Sequence, residues 1–171
     1  MLEIVTATVK DSALIAKIGA QSFIESHGAS ASEKDILNYV ASKFTVEQIE
    51  NEFSDANAVY KLAVYNNEIA GYSKLILNCP NTAITNKTVC KLERIYILES
   101  FLDKKIGQPL FDLNLQLAKD HHQKGMWLYV WTGNPRALRF YEKQGFKIAA
   151  ETFFKISETH SNPNYWLLLE W

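Results

Sequence analysis

Two short blocks of this chain combine residue types and spacing that can do chemistry. The first is Asn134-Pro135-Arg136-Ala137-Leu138-Arg139-Phe140-Tyr141-Glu142-Lys143-Gln144-Gly145-Phe146. Asn134 suits a helix N-cap, Pro135 its first turn and Gly145 its end. Tyr141 therefore rides on a short helix just after the continuous apolar run 126–131, where its hydroxyl can reach a cleft as donor or acceptor. The second block, 91–118, reads as strand, turn and helix, and free backbone N–H groups at the start of a helix can hold a pyrophosphate. Alone this second signal is weak; with the first it becomes specific.

Other reactive constellations are missing from the sequence. There is no nucleophile elbow, Walker loop or dinucleotide fingerprint, and the adjacent His121 and His122 would point from different faces of a helix. Cys79 and Cys90 lie outside metal-type spacing and read as reduced, partly buried thiols, so no metal is expected. With 18 Lys+Arg against 19 Asp+Glu, the net charge of -1 gives no field to attract nucleic acid or an anionic membrane. No stretch approaches the ~18 apolar residues of a spanning helix, and the N-terminal residues resemble no signal peptide. A soluble cytoplasmic protein is the expectation.

The elements that must position the two blocks follow from periodicity. In 171 residues without repeat, low-complexity tract or linker, one domain over 1–171 is expected. Residues 2–7 form a first strand. Asp11 then caps a helix carrying Leu14, Ile15, Ile18, Ser22 and Phe23, which Ser26-His27-Gly28 breaks near Glu25. Ser32 and Thr45 cap two short helical pieces. Residues 59–77 alternate as a hairpin about Asn66-Asn67, and 88–98 is a further strand. A helix with Ile106, Leu110, Leu113 and Leu117 follows, ending near Gly125. After the strand 126–131 and the helix from Asn134 come strands 146–156 and 164–170. Hairpins and crossovers in one chain predict an α+β, three-layer arrangement: a mixed, mostly antiparallel sheet of about seven strands with helices on both faces.

The two blocks resemble the GNAT superfamily of acetyl-coenzyme A dependent N-acetyltransferases, whose fold the element order fits from end to end. The LERIYI strand and the FYEKQGF block look most similar to the bacterial spermidine/spermine (polyamine) N-acetyltransferases. The resemblance implies that Ile95, Tyr96 and Ile97 run beside the pantetheine arm. It likewise implies that Lys104, Lys105, Ile106, Gly107 and Gln108 hold the pyrophosphate, and that Asn134, Tyr141 and Lys143 contact the cofactor. Tyr141 is then the proton donor to the departing thiolate, a role suited to a phenol that is neutral at pH 7. A splay between strands 91–98 and 126–131 would leave strand amides free to face the thioester.

The chain departs from the family pattern twice. Where the loop usually reads Gln or Arg, two residues, Gly, one residue, Gly, this chain has Leu102, Lys105 and Gly107. Lys105 lacks glycine's ease at positive φ, but its ammonium can add a phosphate contact. Lys91 stands where many relatives carry a glutamate, whereas Glu93, two residues on, shares its face of the strand. Glu93 is either a base working through water or an ordinary surface carboxylate.

Plainer readings stand beside these. Tyr141 also suits the packing of a helix onto a sheet, and Lys104 and Lys105 suit a solvated turn. Phe23 reads as core with an edge on the cleft, and His27 as either a surface residue or a contact to the acceptor. Trp127 reads as core and Trp131 as cleft lining. Residues 25–55 hold seven acidic residues against two lysines, which is either a solvated face or a rim attractive to polyamines. The expected activity is direct transfer of acetyl from acetyl-CoA to a primary amine of a small molecule, polyamines included. The alternative is a non-catalytic acyl-CoA binding or sensor domain on the same fold. A homodimer could pair through the apolar strand of Trp166, Leu167, Leu168, Leu169 and Trp171.

Overall fold

The structure, a computed structural model, describes residues 1–84 and 88–171. Its strands are β1 (Leu2–Thr6), β2 (Ala58–Tyr65), β3 (Glu68–Ile76), β4 (Cys90–Ile97), β5 (Gly125–Trp131), β6 (Lys147–Lys155) and β7 (Ser161–Glu170). Its α-helices are α1 (Ser12–His27), α2 (Glu33–Lys43), α3 (Val46–Phe53), α4 (Gly107–Asp120) and α5 (Pro135–Lys143). Among the described residues the strands form one sheet in the order β1-β2-β3-β4-β5-β7-β6, in which β4 and β5 are parallel and all other neighbours antiparallel. The mixed, mostly antiparallel sheet expected from the element order is therefore present.

Local chemistry explains the elements. Ser32 Oγ accepts from Asp35 N at 3.1 Å to start α2, and Thr45 Oγ1 from Gln48 N at 3.0 Å to start α3. Asp11 does stand at the head of α1, but its carboxylate closes the preceding turn by accepting from Thr8 N at 2.8 Å. Asn66 and Asn67 take φ of 50° and 68°, the paired left-handed geometry of a tight hairpin. One sheet face packs Phe111 of α4 and Tyr141 of α5 onto Leu92, Leu128 and Val130. The other packs Ile15, Ile18 and Ile49 of α1 and α3 onto Tyr60, Leu62 and Tyr72.

Several sequence expectations need correction. The helix through Leu110 ends at Asp120, short of Gly125, because His122 turns left-handed at φ 57° and buried Gln123 closes the connection. α1 runs past Glu25 to His27, which puts that histidine in its last turn. β4 begins at Cys90 and β7 at Ser161. β7 is bonded on one side by β5 and on the other by β6, so neither edge is free to pair across a dimer.

Two irregularities in the middle of the sheet prepare the site. The parallel ladder between β4 and β5 holds two pairs, Cys90↔Met126 and Lys91↔Trp127, and then stops. The β3–β4 register shifts between Leu75↔Leu92 and Lys74↔Arg94, which leaves Glu93 as an extra, bulged residue. Further along the same pair, Gly71 lies opposite Ile97, and a Cβ there would sit 2.1 Å from the Tyr96 carbonyl oxygen. Gly71→Ala is expected to lower stability by about 2 kcal/mol, roughly 4–8 °C in Tm, because β3 and the end of β4 would have to part. Thermal unfolding measures this, and an unchanged Tm would mean that the strands can separate without cost.

Candidate active site

Past its two paired residues, β4 diverges from β5 and a cavity of about 770 Å³ opens in the wedge. Of the residues singled out in the sequence, Ile95, Tyr96, Ile97, Lys105, Ile106, Gly107, Gln108, Asn134, Tyr141, Lys143, Glu93, Phe23 and His27 all line it. Lys104 is the exception. Its ammonium turns to Asp103 at 2.8 Å, and it is absent from the cavity wall.

At one end of the cavity stands the N-terminus of α4. Lys105 adopts φ 56°, the left-handed conformation for which glycine is usually used, so the lysine supplies the backbone turn that glycine would give in that place. No side chain caps α4, so the first-turn amides of Gly107 and Gln108 remain as donors, and Pro109 has none to lose. A Cβ added at Gly107 would meet nothing nearer than Phe140 Cε2 at 4.0 Å, so the approach to these amides is open. With the partial positive charge of the helix end, this geometry fits an anion such as a pyrophosphate. Arg136 Nη2 donates to Leu102 O at 2.7 Å, and the Gln108 and Gln144 amides exchange bonds of 3.0 and 2.7 Å, so α5 is tied to the loop and to α4.

Tyr141 is fixed by the helix that Asn134 begins, where Asn134 Oδ1 accepts from Ala137 N at 3.1 Å. Its ring packs edge-on against Phe140 and Phe146, and no described residue hydrogen-bonds its hydroxyl. Burial, helped by the neighbouring Tyr96, raises its pKa well above the usual phenol range, so the proton stays on oxygen throughout neutral pH.

Glu93 stands on the face that strand parity gave it, but as a paired carboxylate. It does share a face with Lys91, at 3.1 Å, but Lys74 from β3 reaches its other oxygen at 2.5 Å. Burial opposes the charge, yet the two lysines prevail and hold its pKa below the ordinary value. A carboxylate so engaged is a poor proton acceptor. The chain of charges continues: Lys74 also bonds Glu52 at 2.7 Å, and Glu52 takes two bonds from Arg94, of 2.8 and 3.0 Å, and one from the Tyr60 hydroxyl. Lys91 meanwhile lies over the rings of Trp127 and Tyr129, 5.1 and 5.2 Å from their centroids.

The opposite end of the cavity is aromatic. Phe23 and His27 of α1 meet Tyr39 of α2, Phe44, Trp131 and Phe154 there. Tyr39, Phe44 and Phe154 were not singled out from the sequence. Of the seven acidic residues between 25 and 55, Glu25 alone is on the cavity wall, and Glu52 is consumed by Arg94 and Lys74. Of the two readings of that stretch, a rim draws support from Glu25 alone on the wall of this cavity.

Comparison with known proteins agrees with the geometry. A family model described as the acetyltransferase (GNAT) family matches residues 25–146. The chain is 23% identical over 157 residues to an uncharacterized N-acetyltransferase in the pepI 3' region of Lactobacillus delbrueckii subsp. lactis, covering 92% of this chain and 91% of that protein. It is 26% identical over 154 residues to a spermidine N(1)-acetyltransferase of Thermoplasma acidophilum, covering 86% and 89%. Its fold superposes on the crystal structure of the PaiA N-acetyltransferase of Thermoplasma acidophilum in complex with coenzyme A, with a TM-score of 0.79, 19% identity and coverage of 100% and 99%. Among the described residues no helix is long and apolar enough to cross a membrane, and no group of three or more His, Cys, Asp or Glu could hold a metal ion.

Proposed function

The chain belongs to the GNAT acetyltransferase family, and on that premise we propose that it moves an acetyl group from acetyl-CoA directly to a primary amine of a small molecule. The observation that carries this reading is the wedge between β4 and β5, which joins an uncapped helix N-terminus at one end to an aromatic chamber at the other, with Tyr141 on its wall. When bound, acetyl-CoA supplies an acetyl thioester. The first-turn amides of α4 and the Lys105 ammonium hold its pyrophosphate, and the unpaired edge of β4 at Ile95 to Ile97 orients the arm. Tyr141 gives its proton to the sulfur as the carbon–sulfur bond breaks.

Spermidine is the first acceptor to try, because the similar Thermoplasma protein carries that activity in its name and Glu25 stands on the cavity wall. A second reading, a non-catalytic acyl-CoA binding domain, draws on the pairing of both Glu93 oxygens with lysines.

Calorimetric titration with acetyl-CoA, CoA and an adenine nucleotide, followed by assay of CoA release over a panel of amines that includes spermidine, tests both readings. Micromolar binding with amine-dependent CoA release is expected. Binding without release over the whole panel would favour the second reading, and no binding at millimolar concentration would overturn both. Lys105→Glu is expected to weaken acetyl-CoA about tenfold, the loss of one charge-assisted contact. Lys104→Glu should change affinity little, because Lys104 lies off the cavity wall and faces Asp103.

A further inference from the structure

The last turn of α1 holds the His27 imidazole in one plane. The ring stacks on Phe23 with centroids 4.6 Å apart and planes 7° from parallel, and Trp131 of β5 stands against it at 5.7 Å. Within that plane Nδ1 lies 2.7 Å from Ser26 Oγ. Ser26 Oγ in turn lies 2.7 Å from the carbonyl oxygen of Ser22, one helical turn back. A hydroxyl has one proton, and a carbonyl oxygen can only accept, so the Ser26 proton goes to Ser22 and Ser26 Oγ accepts from the imidazole. Nδ1 therefore carries the ring proton, and Nε2 presents a bare lone pair. Nε2 has no hydrogen-bond partner among the described residues, and His27 lines the aromatic end of the cavity. Burial pulls its pKa down to about 4, which keeps the ring neutral at physiological pH.

We propose, building on the acetyltransferase reading, that His27 Nε2 is the group that receives the amine N–H and takes its proton as the new carbon–nitrogen bond forms, the part that strand parity assigned to Glu93. The proton balance closes. The amine nitrogen attacks the thioester carbonyl carbon, the carbon–sulfur bond breaks, Nε2 gains the nitrogen's proton, and the sulfur gains that of Tyr141. Water then returns a proton from the imidazolium to the tyrosinate. A weak base suffices, because a nitrogen already bonding to a carbonyl carbon is far more acidic than a free ammonium group. Glu93 is left to anchor Lys74 and Lys91 under the chamber.

The test has a readout that does not depend on turnover. Long-range proton–nitrogen NMR of the full chain is expected to show His27 protonated at Nδ1 and bare at Nε2, and the opposite tautomer would overturn the proposal. His27→Phe keeps the ring between Phe23 and Trp131 but removes Nε2. Its affinity for acetyl-CoA and its Tm should be those of the native chain. Its kcat/KM for the amine of the panel that the native chain turns over fastest should fall about a hundredfold, the lower end of what one positioned base contributes. His27→Gln, with an acceptor oxygen near the place of Nε2, should recover part of the loss. Equal kcat/KM in the native chain and His27→Phe would overturn this role alone, whereas CoA release with no amine at all would overturn the acetyltransferase reading and this proposal with it.

Discussion

Tyr141→Phe is expected to lower kcat about a hundredfold while acetyl-CoA binds as tightly as before, the lower end of what one positioned acid contributes. The substitution removes a single oxygen. The ring that packs against Phe140 and Phe146 stays, so neither α5 nor the core beneath it should move. On the proposed function, what is lost is a proton held in a buried place, where the raised pKa keeps it on oxygen until the thiolate takes it. Steady-state kinetics paired with calorimetry separate the two quantities. An unchanged kcat would exclude Tyr141 as the acid, and a weakened acetyl-CoA affinity would show that the hydroxyl holds the ligand instead.

Glu52→Gln is expected to cost about 3 kcal/mol of stability, or roughly 6–12 °C in Tm. Glu52 is nearly buried and answers both Arg94 and Lys74, so its neutralisation leaves Arg94 beneath the cavity without a carboxylate and Lys74 with Glu93 alone. Burial alone would raise its pKa, but the bonds from Arg94 and Lys74 outweigh burial and bring it down to about 2. A carboxylate with a folded pKa below its unfolded value of about 4.5 stabilises the fold above pH 4.5 and loses that contribution as the pH falls toward 2. The native chain should thus lose Tm steeply over that interval, and the variant should start lower and fall less. A Tm within 2 °C of native at pH 7 would mean that Arg94 finds another partner, and the charge chain would lose its structural role.

Elements were legible in this sequence wherever a single residue's chemistry decides the backbone. Asn66-Asn67 turned, Ser32 and Thr45 capped, and Asn134-Pro135 opened α5 where their types require. The end of α4 was not legible, because the left-handed residue there is His122, a type that carries little turn signal. Contacts between distant segments were hidden for a different reason. Glu52 and Arg94 are 42 residues apart, and no periodicity relates a residue on α3 to one on β4. Glu93 shows both sides at once. Its face was readable from alternation, but its partner Lys74 comes from the neighbouring strand, and that partner decides whether the carboxylate can act as a base. At Lys105 the missing glycine was visible, whereas the left-handed backbone that the lysine adopts was not, because the left-handed cost for one lysine, about 1–2 kcal/mol, is small enough for surrounding structure to impose.

The parallel ladder of two pairs divides the sheet into two half-sheets joined at one corner, β1 to β4 on one side and β5, β7 and β6 on the other. Hydrogen bonds alone give such a joint little stiffness, so native fluctuations should concentrate along the wedge while each half stays closed. A molecule lying between the halves gives the β4 amides the partners that a continuous ladder would have provided. Binding and the completion of the sheet then become one equilibrium. On the proposed function, an occupant at a hundred times its Kd adds about 2.7 kcal/mol to the free energy of unfolding and serves as a structural member for as long as it stays.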